Sequence, residues 1–137
     1  MTRYAIDALT AIRLARERIA VPTEHRLVAP KSLQTRALSE LYRAVRRGEL
    51  AQGEARAILD RITTMGIRLL GDRVSRAAAW RVAEQLDWHD IGDAEYVAVA
   101  RLQADAFVTL DPDLALQVQG IITLAPFEAL HAPSAPP

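Results

Sequence analysis

Three aspartates stand at positions where an α/β protein gathers ligands. Asp7 directly follows a short apolar run at residues 4–6, and Asp111 directly follows the apolar run at residues 107–110. Asp93 lies in the first turn of the helix predicted to precede the second of these runs. The carboxyl ends of parallel strands lie at one edge of a sheet, and ligands bind there. We therefore expect the three carboxylates to converge.

Convergent carboxylates favour a divalent cation. Carboxylates held close together repel one another and cannot all stay ionised unless a cation neutralises them. The chain has no cysteine, and its three histidines lack metal-ligand spacing, so oxygen ligation of Mg²⁺ or Mn²⁺ is favoured over Zn²⁺. Such an ion can activate a water and stabilise charge on a phosphoryl oxygen. Taken singly, each aspartate is better explained as a helix cap, and it is their common placement at one edge of the sheet that favours a site.

The elements that would position these residues alternate between strand and helix. Short apolar runs predict strands at residues 4–6, 27–29, 67–70, 106–110 and 121–124, and helical spacings of apolar residues fill the intervals. The strands are apolar throughout rather than alternating, as expected of parallel strands that are buried on both faces. The pattern predicts an α/β fold with a mainly parallel, five-stranded sheet covered on both sides.

Length and composition predict one compact domain. The chain has 137 residues, enough for a single core. We expect the domain at residues 1–130 and a disordered tail at residues 131–137, which read HAPSAPP. No apolar run approaches the ~18 residues of a membrane span, and the first residues show no signal peptide, so we expect no membrane association and a cytoplasmic location.

Charge is unevenly distributed although the net charge is zero. Through Arg81 the sequence holds 16 basic and 8 acidic residues, and from Val82 onward it holds 1 basic and 9 acidic residues. Solvated helix faces explain this distribution, and so does an acidic centre for cations flanked by basic faces for phosphate. The pattern alone leaves both interpretations open.

Each of the three aspartates belongs to a short motif: YAID at residues 4–7, DAEYVAVA at residues 93–100 and AFVTLD at residues 106–111. These segments resemble the acidic motifs of PIN domains, and most closely those of the VapC-type toxin ribonucleases of bacterial toxin–antitoxin pairs. The resemblance runs from Arg3 to about Leu130. It implies a three-layer α/β/α domain with a parallel five-stranded sheet. It also implies RNA hydrolysis with Mg²⁺ or Mn²⁺, a small antitoxin that covers the site, and a homodimer.

The resemblance assigns roles to individual residues. Asp7, Asp93 and Asp111 match the acids that bind the metal and carry catalysis. Thr109 matches a hydroxyl residue that steadies the last motif, and Asp113 is a candidate for a further, outer carboxylate.

One position departs from the family pattern. The family places a glutamate where this chain has Arg36. Glu40, one helical turn later, either substitutes for that glutamate or pairs with Arg36, and we expect the pair. Arg36 would either offset the charge of the acids and weaken cation binding, or bind the scissile phosphate. Arg36 is therefore one candidate RNA-binding residue, and Arg43 is another.

Two functional hypotheses follow. The leading one is a metal-dependent endoribonuclease that acts as a toxin and binds an antitoxin near the helical pair at residues 30–64. The alternative is a catalytically degenerate PIN domain that binds RNA or a partner protein without cleaving. Trp80 and Trp88 could stack on an RNA base, although packing within the protein is the simpler prediction for both.

Overall fold

The structure, a computed structural model, describes residues 1–132. Within this range the strands are β1 (Thr2–Ile6), β2 (His25–Pro30), β3 (Arg68–Leu70) and β4 (Ala106–Val108). The helices are α1 (Ala8–Arg16), α2 (Leu33–Arg46), α3 (Gln52–Thr64), α4 (Arg73–Gln85), α5 (Gly92–Gln103) and α6 (Pro112–Val118), followed by a 3-10 turn at Phe127–Leu130. Residues 133–137 of the predicted tail lie outside the described residues.

The sheet is parallel throughout, with strand order β3-β2-β1-β4. β1 lies between β2 and β4, where Tyr4 pairs with Ala106 and Ile6 pairs with Val108. The segments that follow β1 and β4 therefore leave the sheet side by side at its carboxyl edge. The predicted α/β class is confirmed.

The predicted fifth strand is wrong. Among residues 1–132 the sheet has four strands, and the segment at residues 121–124 contributes an isolated parallel bridge between Leu124 and Phe107. The Phe107 N–H donates to the Thr123 carbonyl at 2.8 Å, and the Ala125 N–H donates to the Phe107 carbonyl at 3.0 Å. A turn at Gly120, where φ is +83°, precedes the segment and Pro126 follows it. The segment thus pairs with β4 at only one residue.

The order of connections places helices on both faces of the sheet. The chain steps from β1 to β2 through α1 and on to β3 through α2 and α3, and then returns across the sheet to β4 through α4 and α5. Because such crossovers are right-handed, steps in opposite directions place their helices on opposite faces. α5 contacts β1, β2 and β4, and α4 packs on α5. This arrangement is consistent with the three-layer α/β/α fold that the sequence predicts.

Helix α5 is the most deeply buried helix that contributes to the site. Its residues from Tyr96 to Ala100 are all buried, as is Ala94. Burial on every side follows from its position between the sheet and α4, and its alanines permit close packing on both. No helix in the described part of the chain is long and apolar enough to cross a membrane.

Candidate functional site

The structure brings the three predicted aspartates to one cavity at the carboxyl edge of the sheet. Asp7, Asp93 and Asp111 line this cavity, which has a volume of about 70 Å³ and which we call the acidic cavity. Its complete lining is Asp7, Ala8, Leu9, Arg36, Glu40, Asp93, Tyr96, Asp111 and Leu114. The lining thus comes from segments that are distant in sequence and that the parallel sheet brings together.

Asp7 is held by three donors. It is the N-cap of α1, and its Oδ1 accepts hydrogen bonds from the Thr10 N–H at 2.9 Å and from the Thr10 hydroxyl at 2.5 Å. Its Oδ2 accepts a hydrogen bond from the Thr109 hydroxyl at 2.5 Å. Burial raises the pKa of Asp7, and the bonds from Thr10 and Thr109 oppose that rise. The carboxylate is therefore fixed in place between β1 and the end of β4.

Asp111 both caps a helix and lines the cavity. Its Oδ1 accepts hydrogen bonds from the N–H groups of Asp113 and Leu114 at 3.0 and 3.2 Å, at the start of α6. Its own N–H donates to the Thr109 hydroxyl at 3.0 Å, so Thr109 links Asp111 to Asp7. Asp113 is exposed and does not line the cavity. Capping and a place in the site are therefore compatible for Asp111.

Arg36 brings a positive charge into the acidic cavity. Its Nη2 donates to Asp93 Oδ1 at 2.8 Å, and its guanidinium carbon lies 4.6 Å from the centroid of the Tyr96 ring. A Cβ added at Gly92 would lie 3.3 Å from Arg36 Nη1, so the absence of a side chain there leaves room for the guanidinium. Gly92, Asp93 and Tyr96 of α5 thus surround Arg36. The Nη1 atom of Arg36 is buried and has no hydrogen-bond partner among the described residues.

The charge states of Arg36 and Tyr96 follow from this packing. Burial by itself lowers the pKa of Arg36. The hydrogen bond to Asp93 and the nearby negative charges outweigh this effect and raise the pKa above its ordinary value, so the guanidinium stays protonated. Burial raises the pKa of Tyr96 to about 12, although the charge of Arg36 opposes the rise. The neutral Tyr96 hydroxyl accepts a hydrogen bond from the Ala8 N–H at 3.0 Å, which links α5 to the first turn of α1.

Glu40 lines the acidic cavity but does not pair with Arg36. It forms an ion pair with Arg43, its neighbour one turn along α2, so the predicted Glu40–Arg36 pair is wrong. Arg36 instead reaches across to Asp93 on α5. Of the two candidate RNA-binding arginines, Arg36 lines the cavity and the exposed Arg43 does not.

The donor chemistry of the acidic cavity fits a hard divalent cation. Its carboxylates offer oxygen ligands of the kind that Mg²⁺ and Mn²⁺ take. A volume of about 70 Å³ exceeds the roughly 10–15 Å³ that one water requires. With the side chains as they stand, however, no group of three or more His, Asp or Glu residues within residues 1–132 lies close enough to hold an ion. Arg36 already occupies Asp93 Oδ1, so an ion drawn to these carboxylates would compete with the guanidinium for that oxygen.

A larger groove adjoins the acidic cavity. This groove, which we call the side groove, has a volume of about 510 Å³ and shares Arg36 and Asp93 with the cavity. Its complete lining is Arg36, Trp88, His89, Asp90, Gly92, Asp93 and Gln117. The Trp88 indole N–H donates to Gln117 Oε1 at 2.6 Å. Trp80 lies on α4, is 64% exposed, and lines neither the cavity nor the groove.

Three residues of the site have roles that the sequence did not predict. Thr10 donates twice to Asp7, Tyr96 lies beneath Arg36, and Gly92 makes room for it. Thr10 lies three residues after a helix-capping aspartate, a spacing at which a side chain returns to its cap. Tyr96 lies three residues after Asp93, on the same face of α5. Gly92 offered no comparable signal, because its role depends on a side chain from another helix.

Comparison with known proteins supports the fold. No protein-family model matches the chain, and no curated protein matches its sequence. Among solved structures, the crystal structure of PAE2754 from Pyrobaculum aerophilum matches with a TM-score of 0.72 and 24% sequence identity. The match covers 94% of this chain and 92% of that chain. At this identity the likeness extends to the fold alone, so the chain shares its α/β fold with that protein over nearly its whole length.

Proposed function

We propose that the chain is a metal-dependent endoribonuclease with a PIN-like domain, the toxin of a toxin–antitoxin pair. The observation that carries the proposal is that Asp7, Asp93 and Asp111 line one cavity at the carboxyl edge of the sheet. These are the residues that match the family's acidic motifs. Their convergence depends on the whole fold, since helix capping alone does not require that they meet.

The chain's own residues would divide the work at the site. Asp7, Asp93 and Asp111 would hold Mg²⁺ or Mn²⁺, with Asp7 fixed by Thr10 and Thr109. The ion, once bound, would activate water and stabilise the charge that develops on the phosphate. Arg36, released from Asp93, would keep a planar set of donors that suits a phosphate oxygen pair.

A second candidate function is binding without cleavage. The Arg36–Asp93 pair favours it, because the guanidinium already neutralises one of the three carboxylates. In that case the domain would bind RNA or a protein partner while its acidic cavity takes up an ion only weakly. The two candidates share the fold, and they differ in cleavage.

The α2–α3 pair supports a proposal about partners. A groove of about 400 Å³ runs between the two helices, and its apolar lining includes Leu38 and Tyr42, which are 53% and 63% exposed. Arg46 and Arg56 also line it. We propose that the cognate small antitoxin binds in this region, that the chain forms a homodimer, and that it acts on RNA in the cytoplasm.

The test of the proposed function is cleavage of a labelled RNA pool. Wild type is compared with Asp93→Asn and with Asp60→Asn, a matched change at an exposed aspartate of α3 that lies outside the cavity, in Mg²⁺, Mn²⁺ and EDTA. We expect wild type and Asp60→Asn to cleave only with the metal, and Asp93→Asn to be slower by at least ~100-fold. Equal residual cleavage in wild type and Asp93→Asn would refute catalysis at this site. Binding of RNA by wild type without any cleavage would favour the second candidate.

A further inference from the structure

The side groove is built for a small, mostly polar ligand. Of the seven residues that line it, only Trp88 is hydrophobic. A protein segment that docks in a groove needs several apolar anchors, which this groove does not offer. Its volume of about 510 Å³ lies within the range of roughly 300–1,000 Å³ that is typical of small-ligand pockets. One aromatic ring surrounded by polar groups matches a nucleotide better than a peptide.

We propose that the side groove binds one nucleotide of a single-stranded RNA, with the base against the Trp88 ring. Arg36 and Asp93 belong to both the groove and the acidic cavity, so the bound nucleotide is the neighbour of the phosphate that lies at the acids. The inference rests on the proposed ribonuclease function for this orientation of the RNA. It adds a subsite, and a residue that binds substrate there.

The polar groups around Trp88 complement the edges of a base. The bond from Trp88 Nε1 to Gln117 Oε1 fixes the ring and leaves the Gln117 amide N–H groups as donors. Asp90 Oδ1 accepts the Gly92 N–H at 2.6 Å, and its other carboxylate oxygen remains an acceptor for an exocyclic amine. Unpaired bases are recognised by stacking on an aromatic ring together with hydrogen bonds of this kind.

Arg36 supplies the charge that a nucleotide requires. Arg36 lines both the groove and the cavity, and its guanidinium stays protonated. A backbone phosphate at this boundary gives Arg36 an anion in place of Asp93. The base at Trp88 and the phosphate at Arg36 then belong to one nucleotide unit.

The two tryptophans make the proposal testable by fluorescence. The chain has 2 tryptophans, and Trp80 lies outside it. In Trp80→Phe only Trp88 reports by fluorescence, and in Trp88→Phe only Trp80 reports. Each variant is titrated with a random ten-nucleotide RNA pool in Ca²⁺, and the RNA is checked on a gel for integrity. We expect RNA to quench Trp88 strongly and Trp80 hardly at all.

Affinity gives an independent measure. Trp88→Leu retains apolar bulk without an aromatic face, so it should weaken RNA binding by about tenfold, whereas Trp80→Leu should leave it unchanged. Trp88→Phe should retain most of the wild-type affinity, because phenylalanine also offers a ring for stacking. If Trp88 had only a structural role, RNA affinity would not decrease in the order wild type, Trp88→Phe, Trp88→Leu. Melting temperatures confirm that each variant is folded.

The outcomes separate this subsite from the proposed function. Quenching of Trp88 by RNA in a protein that cleaves nothing supports the subsite and counts against the nuclease. Cleavage by Trp80→Phe with no response of Trp88 overturns the subsite and leaves the nuclease standing. Equal quenching of both tryptophans by the RNA pool also overturns it.

Discussion

The carboxylate of Asp7 has two roles. It caps α1 through the Thr10 N–H, and it lines the acidic cavity beside Asp111. The hydroxyls of Thr10 and Thr109 each contact it at 2.5 Å, which holds it in place in a buried position where a charge is costly. The balance between burial and these bonds leaves its pKa above the ordinary value.

A pH dependence of stability follows from this raised pKa. The folded state binds the Asp7 proton more tightly than the unfolded state, so the contribution of Asp7 is most favourable below its ordinary pKa of 3.8 and is lost as pH rises through the raised value. Asp7→Asn does not titrate. In EDTA, the free energy of unfolding of Asp7→Asn minus that of wild type should therefore increase from about pH 3.5 upward and then level off.

Urea denaturation across this pH range measures the difference. Asp113→Asn, at an exposed carboxylate, is the control and should show no such trend. Parallel curves for wild type and Asp7→Asn at all pH values would contradict the assignment of a raised pKa to Asp7.

The acids of the site could be predicted from the sequence, but their partners could not. Each aspartate directly follows a strand or opens a helix, so local pattern is enough to place it. The partner of Arg36 depends on how close α2 lies to α5, which no local pattern encodes. The predicted Glu40–Arg36 pair was wrong for this reason. Arg43 lies on the same helix at a spacing that also allows a pair with Glu40, and Glu40 pairs with it.

At the scale of elements, α5 contributes to both the acidic cavity and the side groove. Its first turn supplies Asp93 to both the acidic cavity and the side groove, and Gly92 to the side groove, while its buried middle packs between the sheet and α4. The buried middle of the helix fixes both residues relative to the sheet. The position of Arg36 is thus determined by α5 as much as by its own helix.

Gly92 and Gly53 allow a matched test of this packing. Both lie in the first turn of a helix, α5 and α3 respectively, but a Cβ at Gly53 would meet nothing within 4 Å. A Cβ at Gly92 would lie 3.1 Å from Asp90 Oδ1 and 3.3 Å from Arg36 Nη1. Gly53→Ala should stabilise the fold by about 0.5–1 kcal/mol, because alanine loses less backbone entropy in a helix.

Gly92→Ala should gain at least ~0.5 kcal/mol less than Gly53→Ala, because the added methyl crowds Arg36 and Asp90. Chemical denaturation of the two variants alongside wild type gives both values. An equal gain in the two variants would mean that Arg36 is free to move aside and that α5 does not fix its position.

The elements themselves were largely predictable, and the exceptions have physical reasons. The strands at β1 to β4 and the helices between them follow the apolar pattern of the sequence. The last apolar run, at residues 121–124, has the composition of a strand but pairs with β4 at Leu124 alone. β4, the strand beside it, is 3 residues long and offers little to pair with. Composition indicates which residues can form a strand, whereas the partner decides whether they do.

At the scale of the whole molecule, the uneven charge has a structural counterpart in the site. Arg36 comes from the basic part of the chain and Asp93 from the acidic part, and they meet in the acidic cavity. An acidic centre flanked by basic faces was one of two interpretations of the charge distribution. The sequence also indicated that Arg36 would lie near the acids, but it did not indicate that Asp93 would be its partner. We propose that the carboxylates of the acidic cavity form a cation site in which Arg36 competes with the ion.

The most direct test of this claim is Mn²⁺ affinity, measured by calorimetry on wild type, Arg36→Gln, Asp111→Asn and Arg43→Gln. Arg36→Gln frees Asp93 and removes a positive charge, so it should bind Mn²⁺ about tenfold more tightly than wild type. Asp111→Asn should bind more weakly, and Arg43→Gln, at an exposed arginine on the same helix, should match wild type. An affinity unchanged by both Arg36→Gln and Asp111→Asn, or no Mn²⁺ binding even by Arg36→Gln, would contradict the account.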